Sequence, residues 1–373
     1  MRAALLGFGT VGRGVDAILA ENPCGIEIAR ILELPDRLTD PRMTADFDEI
    51  LGDESIDAVV ECMGGVEPAH TFIAGALRAG KHVVTSNKAV VAAHFDEFVS
   101  LAAASGAGFF IEASVGGGIP WIAGIAKARR VDAVDRFYGI MNGTTNYIIY
   151  SMLKDGIEFS DALEKAQELG YAERDPSADI DGFDVCNKTI ISASVAFDCA
   201  CTRELPVSGI RNLTKRDLDI FGNHGRTVKL LGRGVAEDGR YAVAVEPVAI
   251  GLDSLEAHVP SNFNLVTLEG ASIGELKFYG QGAGMMPTGN AMVQDLIDCA
   301  AGVRPSYDFS RGLVYDPELL RGDYVLRSSA QPAGSTEYEP GAWLVRDITA
   351  ERARALLDEA LEQDGGAFMA AIG

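Results

Sequence analysis

The sequence predicts an α/β fold, with a doubly wound parallel sheet in the first 127 residues followed by a mixed α+β domain. Three observations support this prediction. Short apolar runs alternate with helical stretches up to about residue 125, as in parallel sheets. The segment 241–278 is rich in β-forming residues, as expected for antiparallel strands. A chain of 373 residues is also too long for one typical domain.

Five strands are expected in the first domain, at residues 3–6, 26–32, 58–61, 82–85 and 109–112. A glycine-rich stretch at 280–284 precedes a predicted helix at 288–299, which we expect to return to that domain. Near the C-terminus, strands are expected at 324–328 and 342–347, with a loop over 332–339 and a helix at 349–362. The predicted domains are residues 1–127 completed by a helix at about 283–303, residues 128–282, and a C-terminal appendage at 304–373.

The composition excludes several classes of protein. The formal net charge of −22 argues against nucleic-acid and anionic-membrane partners, which need a basic surface. No apolar run approaches the roughly 20 residues that span a bilayer, and no cleavable signal precedes the first glycine motif. The six cysteines lack paired CxxC spacing, so we expect buried free thiols. These features indicate a cytoplasmic protein with a small-molecule substrate.

A glycine motif directly follows the first predicted strand and opens a helix. In a dinucleotide-binding turn, the first glycine permits the bend, the second lets a pyrophosphate approach, and the third lets the helix pack on the sheet. The diphosphate then meets free N–H groups at the helix N-terminus. The motif predicts a Rossmann-type site for NAD or NADP, formed by Gly7, Phe8, Gly9, Thr10, Val11 and Gly12.

The residues near the expected ribose position leave the choice of cofactor open. Glu33 lies near the end of the second predicted strand, where a carboxylate would bind a 2′-hydroxyl and favour NAD. Arg30 and Arg37 flank it and would instead hold a 2′-phosphate. Solvated loop charges explain the pattern equally well, so both NAD and NADP remain possible.

Two lysines occupy positions that suggest proton transfer. Lys88 follows the strand predicted at 82–85, at the sheet edge where α/β proteins bind ligands. Farther along, five carboxylates between 173 and 184 precede Lys188, and Asp184 is spaced to share a helix face with it. Such acids bind a substrate ammonium, while a lysine orients or deprotonates a hydroxyl. The alternatives are a helix cap that leaves Lys88 in solvent, and a solvated acidic loop before Lys188.

These motifs, in this order, resemble those of homoserine dehydrogenases from residue 1 to about 302. The resemblance is carried by GFGTVG at 7–12, VVECMGG at 59–65, GKHVVTSNK at 80–88, EASVGGGIP at 112–120 and GIMNGTTNYI at 139–148. The most specific segment is AQELGYAERDPSADIDGFDVCNK at 166–188. A segment at 282–288 resembles the family's closing loop on the cofactor side.

The resemblance implies an NAD(P)-dependent interconversion of L-homoserine and L-aspartate 4-semialdehyde, in threonine and methionine biosynthesis, by a homodimer. Lys188 would be the acid/base at the reacting oxygen and Lys88 the second catalytic lysine. The implied substrate contacts are Glu173, Asp179, Asp184, Gly143 and Thr144. The implied cofactor contacts outside the glycine motif are Met63, Gly64, Ser86, Lys88 and Gly284.

The family's monovalent-cation site, for an ion such as sodium, would use Glu112 with the carbonyls of Val115, Gly117 and Ile119. Considered without the resemblance, a glycine turn of this kind usually serves backbone geometry. Many family members also carry a C-terminal regulatory domain of βαββαβ type. Residues 323–327 resemble its first strand, but too few residues follow for the whole module, so feedback control by threonine is not expected.

Two rival functions have sequence discriminators. An aspartate-semialdehyde dehydrogenase would need a nucleophilic cysteine with a histidine base, and no such pair is evident among only five histidines. A non-catalytic nucleotide sensor would keep the fold without the chemistry, and the presence of both lysines argues against it.

Overall fold

The computed structural model describes residues 1–373 and contains sixteen strands and twelve α-helices, numbered in chain order. The strands are β1 (Arg2–Leu6), β2 (Glu27–Leu32), β3 (Met43–Thr44), β4 (Ala58–Glu61), β5 (His82–Thr85), β6 (Phe109–Phe110), β7 (Val134–Ile140), β8 (Arg226–Glu237), β9 (Arg240–Gly251), β10 (Phe263–Gly270), β11 (Gly274–Gln281), β12 (Val314–Tyr315), β13 (Arg321–Arg327), β14 (Thr336–Glu339), β15 (Ala342–Thr349) and β16 (Phe368–Ile372). The helices are α1 (Thr10–Glu21), α2 (Phe47–Leu51), α3 (Ala69–Arg78), α4 (Lys88–Ser105), α5 (Trp121–Ala128), α6 (Gly143–Asp155), α7 (Phe159–Glu168), α8 (Ser177–Ile180), α9 (Phe183–Phe197), α10 (Lys215–Asn223), α11 (Met285–Ala300) and α12 (Ala350–Gln363).

The chain divides into two compact units. Unit 1 contains Met1–Lys127 and Gln281–Ser310, and unit 2 contains Ala128–Gly280 and Arg311–Gly373. The expectation of a separate appendage over 304–373 is therefore wrong for most of that segment. The physical reason is a shared core, because Tyr324 and Leu357 pack in the same buried cluster as Leu231. None of the helices combines the length and apolar character needed to span a bilayer.

Unit 1 is built on a six-stranded parallel sheet with the order β3-β2-β1-β4-β5-β6. Residues Ala3 to Leu6 of β1 are fully buried, as expected for a parallel strand covered on both faces. The strand order reverses between β1 and β4, the point at which doubly wound sheets bind ligands. The predicted fold class is confirmed, although β3 was not predicted because two residues are too short to show a periodic pattern.

Two glycines allow α1 and α11 to cross closely within unit 1. A Cβ atom on Gly14 would lie 2.4 Å from the Met285 carbonyl oxygen, and one on Gly289 would lie 2.9 Å from the Gly14 carbonyl carbon. Only glycine fits such a crossing, since any side chain would collide with backbone that cannot move away. The crossing holds α11 against the helix that opens at the glycine motif.

Unit 2 contains a ten-stranded mixed sheet. Its main path runs β11-β10-β7-β8-β9-β16-β13-β15-β14, and β12 pairs with β9. The centre is the antiparallel β8–β9 hairpin, paired from Arg226↔Gly251 to Glu237↔Arg240. Helix α6 begins at Gly143 and includes the apolar residues 147–153, so Gly143 and Thr144 lie in its first turn.

The C-terminal segment extends this sheet. The predicted loop over 332–339 is partly wrong, because β14 pairs with β15 as an antiparallel edge strand. Its sequence, TEYE, is polar and none of its residues is buried, so it lacks the apolar alternation that marks a half-buried strand. A helix lies between β15 and β16 but not between β13 and β14, so the segment differs from a βαββαβ module.

Candidate functional site

The carboxyl ends of β4 and β5 in unit 1 are joined by a buried carboxylate that sequence reasoning missed. Glu61 is fully buried and accepts hydrogen bonds from the Thr85 hydroxyl at 2.5 Å and the Met63 N–H at 2.8 Å. Burial raises the pKa of Glu61 to about 7, against the lowering effect of its donors. The only sequence signal was an acidic residue ending an otherwise apolar strand, VVE. Glu61 thereby orients the turn that contains the predicted cofactor contacts Met63 and Gly64.

The same carboxylate supports the start of α4. Asn87 donates to the Gly65 carbonyl at 2.7 Å and to Glu61 at 3.4 Å. Its side-chain oxygen caps the helix by accepting the Val90 N–H at 3.3 Å. Lys88 is the first residue of α4 and is half-buried, and it lies two residues after Ser86, which directly follows β5. Asn87 therefore forms the helix cap that was the alternative explanation of this segment, but Lys88 is half-buried rather than left in solvent. The cap fixes the backbone of Lys88 at the sheet edge.

The glycine motif has the geometry expected of a dinucleotide-binding turn. Gly7 has φ +93, and a Cβ atom on Gly12 would lie 2.3 Å from the Gly7 carbonyl oxygen. Gly9, by contrast, faces open space, with nothing within 4 Å of a built Cβ. The turn thus requires Gly7 and Gly12 for its own backbone, and Gly9 for what approaches from outside. Thr10 and Val11 lie in the first turn of α1, and Gly284 precedes α11 with φ +123.

Glu33 lies beside this turn. Its carboxylate accepts the Phe8 N–H at 3.1 Å and the Leu34 N–H at 2.9 Å. Arg30 and Arg37 are exposed. The acidic group is therefore directed at the glycine motif, where a dinucleotide-binding protein contacts the ribose.

In the segment predicted to bind a cation, the glutamate side chain forms hydrogen bonds to the start of helix α5. The Glu112 carboxylate accepts the N–H groups of Ile122 at 3.0 Å and Ala123 at 2.7 Å, in the first turn of α5. Burial raises the pKa of Glu112 to about 7. The Ile119 carbonyl accepts the Trp121 N–H at 2.7 Å. The first turn of α5 thus donates one hydrogen bond to each oxygen of the Glu112 carboxylate.

Unit 2 brings the predicted lysine and two of the predicted acids together. Lys188 is 7 % exposed, and its ammonium donates to Asp184 at 2.7 Å and to the Met141 carbonyl at 2.7 Å. A lysine has three N–H donors, so these contacts account for two of them. The i, i+4 spacing read from the sequence is realised on α9. The buried ammonium thus retains one donor for a further oxygen.

Asn142 joins the two acids and was not identified from the sequence. Its amide nitrogen donates to Asp179 at 2.7 Å and to Asp184 at 2.8 Å. Its oxygen caps α6 by accepting the Thr145 N–H at 2.8 Å. An asparagine before a Gly-Thr-Thr helix start is a recognisable N-cap, so the cap had a sequence signal but the bridge did not. We call Lys188, Asp184, Asp179 and Asn142 the carboxylate–lysine network.

Three further residues of unit 2 clarify the limits of this network. The Thr144 hydroxyl donates to the Tyr171 carbonyl at 2.6 Å and ties α6 to the acidic loop. Glu173 is exposed, and none of the network's hydrogen bonds involves its side chain. A cavity of about 620 Å³ in unit 2 is lined by Phe183 and Arg211 but does not include Lys188. Buried charge, rather than cavity size, distinguishes the network.

The cysteines do not support an acylating mechanism. Burial raises the pKa of Cys186, Cys199 and Cys299 to about 11, and it also raises the pKa of Cys62 and Cys201. A cysteine nucleophile needs a lowered pKa and a nearby base. The Cys62 thiol instead contacts the Met292 sulfur at 3.7 Å.

The parallel sheet with its glycine turn in unit 1, and the carboxylate–lysine network on the helices of unit 2, define a two-domain NAD(P)-dependent oxidoreductase. More specifically, the chain belongs to the homoserine dehydrogenase family. The family model "Homoserine dehydrogenase, NAD binding domain" matches residues 7–112, and "Homoserine dehydrogenase" matches residues 120–297.

Characterised relatives support the same assignment. The chain is 38% identical to the homoserine dehydrogenase of Synechocystis over 337 residues, covering 86% of this chain and 77% of the relative. It is 39% identical to that of Mycobacterium tuberculosis over 316 residues, covering 80% and 71%.

Solved structures agree with the sequence comparisons. A homoserine dehydrogenase from Thiobacillus denitrificans superposes with a TM-score of 0.88 at 30% identity, covering 100% of this chain and 98% of that one. An S. aureus homoserine dehydrogenase gives a TM-score of 0.78 at 28% identity, with the same coverage. A hyperthermophilic archaeal homoserine dehydrogenase mutant in complex with NADPH gives 0.71 at 25% identity, covering 82% and 98%.

Proposed function

We propose that this chain interconverts L-homoserine and L-aspartate 4-semialdehyde with NAD(P), and that Lys188 is its acid/base. The observation that supports this role best is the buried ammonium of Lys188, held by Asp184 and the Met141 carbonyl. Two fixed acceptors orient the lysine and leave one N–H for the reacting oxygen. A group held in this way exchanges a proton with a substrate hydroxyl without reorganising.

The substrate ammonium would bind the acids of the same network. Asp179 is more exposed than the buried Asp184, and Asn142 donates to its carboxylate at 2.7 Å. Glu173 lies in the exposed part of that loop and would add a second carboxylate to the ammonium. Asp184 would remain with Lys188 and position it. The backbone of Gly143 and Thr144, at the start of α6, would also contact the substrate.

When bound, NAD(P) accepts the hydride from homoserine or supplies it to the semialdehyde. The groups that would hold it are the glycine turn from Gly7 to Gly12, the turn at Met63 and Gly64, Ser86, and Gly284. Lys88, fixed at the start of α4, would serve as the second lysine of the reaction. These residues fit a dinucleotide because Gly9 faces open space and the N-terminus of α1 is directed at it.

We infer that NAD is preferred over NADP. The Glu33 carboxylate is held at the glycine turn by the Phe8 and Leu34 N–H groups, where a 2′-phosphate would meet negative charge. The test is the ratio of kcat/KM for the two cofactors, in wild type and in Glu33→Ala. A ratio favouring NADP in the wild type would contradict this role for Glu33.

A monovalent cation such as sodium, if bound, would use the backbone oxygens of residues 112–119. Gly116 and Gly117 both have positive φ, so the turn is tightly bent, while the Glu112 carboxylate is held by α5. Carbonyl oxygens suit a hard cation. The expected result is a higher melting temperature in sodium chloride than in choline chloride at equal ionic strength. Equal melting temperatures would argue against the site.

The protein is also proposed to be a homodimer. β11 is an end strand of the unit 2 sheet, and its Leu276 and Tyr279 side chains are exposed. Exposed apolar residues on an edge strand are typical of an interface. Light scattering coupled to size exclusion should give twice the chain mass, and a monomer at micromolar concentration would contradict the proposal.

The proposed activity is tested by following L-homoserine oxidation through nicotinamide absorbance, with NAD and NADP in parallel. Turnover with either cofactor supports the proposal. Cofactor binding by folded protein without turnover of homoserine would overturn it and favour a nucleotide sensor.

A further inference from the structure

Two of the five histidines meet on unit 1, and neither is among the residues assigned to cofactor or substrate. His70 lies in the first turn of α3, and His94 lies where the backbone of α4 departs from helical geometry, with φ −136 and ψ 22. Their rings stack with centroids 3.9 Å apart. Two stacked imidazoles therefore present nitrogen atoms to a common point.

Glu97, one turn after His94, lies at that point. Its Oε2 atom is 2.8 Å from His70 Nε2 and 3.6 Å from His94 Nδ1. One ligand atom from each of the three residues lies within 4.8 Å of the others. Neighbouring ligands of a tetrahedral zinc ion are about 3.3 Å apart, from metal–ligand distances of about 2.0–2.1 Å. The observed spacings lie on both sides of that value.

The surrounding contacts are those expected around metal ligands. The second ring nitrogen of His70, Nδ1, is 3.0 Å from the Glu67 carboxylate. Carboxylate–histidine–metal arrangements of this kind fix the tautomer so that the other nitrogen faces the metal. The second oxygen of Glu97 lies 3.2 Å from an Arg78 nitrogen, which holds the carboxylate in place.

We propose that His70, His94 and Glu97 bind one zinc-class divalent metal ion, with water completing the coordination. Two imidazoles and a carboxylate suit zinc, cobalt or nickel better than magnesium or calcium. The three side chains are partly exposed, at 22, 30 and 36 %, which leaves room for water and for exchange of the ion. The metal would tie α3 to α4, the helix that begins at Lys88.

An alternative without metal satisfies the same atoms. A doubly protonated His70 would donate to both Glu67 and Glu97, and these carboxylates raise the pKa of His70. The alternatives differ in what they predict for an added ion. The metal site predicts stoichiometric, saturable binding near neutral pH, whereas the ion pair predicts none.

The experiment titrates Co²⁺, and separately Zn²⁺, into untagged full-length protein previously treated with EDTA and desalted. We expect one ion per chain, a visible Co²⁺ spectrum of nitrogen and oxygen ligation, and a melting temperature that rises with Zn²⁺. His94→Gln and Glu97→Gln should each weaken binding by about tenfold or more, since outer-shell changes alone cost as much. His258→Gln, an exposed histidine on unit 2, is the matched control and should bind as wild type does.

The melting temperatures of the EDTA-treated variants show whether each remains folded. Because His94→Gln and Glu97→Gln change different residues of α4, misfolding of one leaves the other informative. The absence of stoichiometric Co²⁺ binding would overturn the proposal. Binding that persists unchanged in both variants would also overturn it, because the ion would then lie elsewhere.

Discussion

Asn142 offers the sharpest test of how unit 2 organises its charged groups. The amide bridges Asp179 and Asp184 at 2.7 and 2.8 Å, while its oxygen caps α6. Asn142→Ser keeps a good N-cap, because serine and asparagine cap helices equally well. The shorter side chain loses both amide donors. The substitution therefore separates the bridge from the cap.

The expected magnitude follows from the two lost donors. A hydrogen bond to a charged group contributes about 1.5–3 kcal/mol, so the pair contributes about 3–6 kcal/mol. Water molecules that replace the amide donors recover part of this free energy, and we expect a net loss of about 3 kcal/mol in transition-state stabilisation. This loss corresponds to a fall in kcat/KM of roughly 10²-fold. Much of the fall should appear in kcat, since Asp184 is the group that holds Lys188.

The assay is the initial rate of L-homoserine oxidation at saturating cofactor, with the melting temperature measured on the same samples. Asn146→Ser is the matched control, because Asn146 lies on the helix that Asn142 caps, is also buried, and donates to three backbone carbonyls. It should lower stability at least as much while kcat/KM falls far less. A kcat/KM for Asn142→Ser within about threefold of wild type, or equal losses in both variants, would refute the role of the bridge.

Three other predictions concern single substitutions. Gly9→Ala should raise the NAD dissociation constant about tenfold or more at an unchanged melting temperature, because the new Cβ would meet the incoming pyrophosphate and no protein atom. Gly12→Ala should instead unfold unit 1 locally, because its Cβ would collide with the Gly7 carbonyl oxygen. Fluorescence titration and thermal unfolding measure these effects, and normal NAD binding by both variants would contradict the prediction. Because the pKa of Glu61 is raised to about 7, the free energy of unfolding should fall by up to about 3 kcal/mol as pH rises from about 4.5 to 7. Glu61→Gln should remove this pH dependence in urea titrations, and an identical slope in the variant would show that Glu61 does not cause it. The buried Lys229 donates from Nζ to Asn146 Oδ1 at 2.7 Å, and burial lowers its pKa to about 8. The free energy of unfolding should therefore rise by up to about 3 kcal/mol between pH 8 and 10.5. Lys229→Met should lack this rise, and a rise that persists in the variant would assign it to another group.

The parts of the fold that follow local rules could be predicted from the sequence. The strands of unit 1 are apolar runs separated by glycine and helix signals, so their positions and parallel arrangement were recognisable. Asp184 and Lys188 could be paired because a helix places i and i+4 side by side. The polar strand β14 was missed, since an exposed edge strand gives no apolar alternation.

The parts that depend on distant contacts could not be predicted from spacing. Asn142 contacts acids 37 and 42 residues away along the chain, so nothing in its neighbourhood indicates the bridge. Glu61 looks like the end of a strand, and its burial depends on Thr85 from the adjacent strand. The prediction of a separate C-terminal appendage was wrong because it also depends on distant contacts: β16 pairs with β9, which lies more than one hundred residues earlier in the sequence.

The central claim is that the buried ammonium of Lys188 exchanges the proton of the substrate hydroxyl. It is tested most directly by kcat and KM for L-homoserine in Lys188→Met, with the partly exposed Lys165→Met as the lysine control in the same unit. The account predicts that kcat falls by about 10²-fold or more in Lys188→Met, as is typical when a general acid/base is removed, with a modest change in KM. The control should match wild type. A folded Lys188→Met protein with near-normal kcat would contradict the account and move proton transfer to another residue.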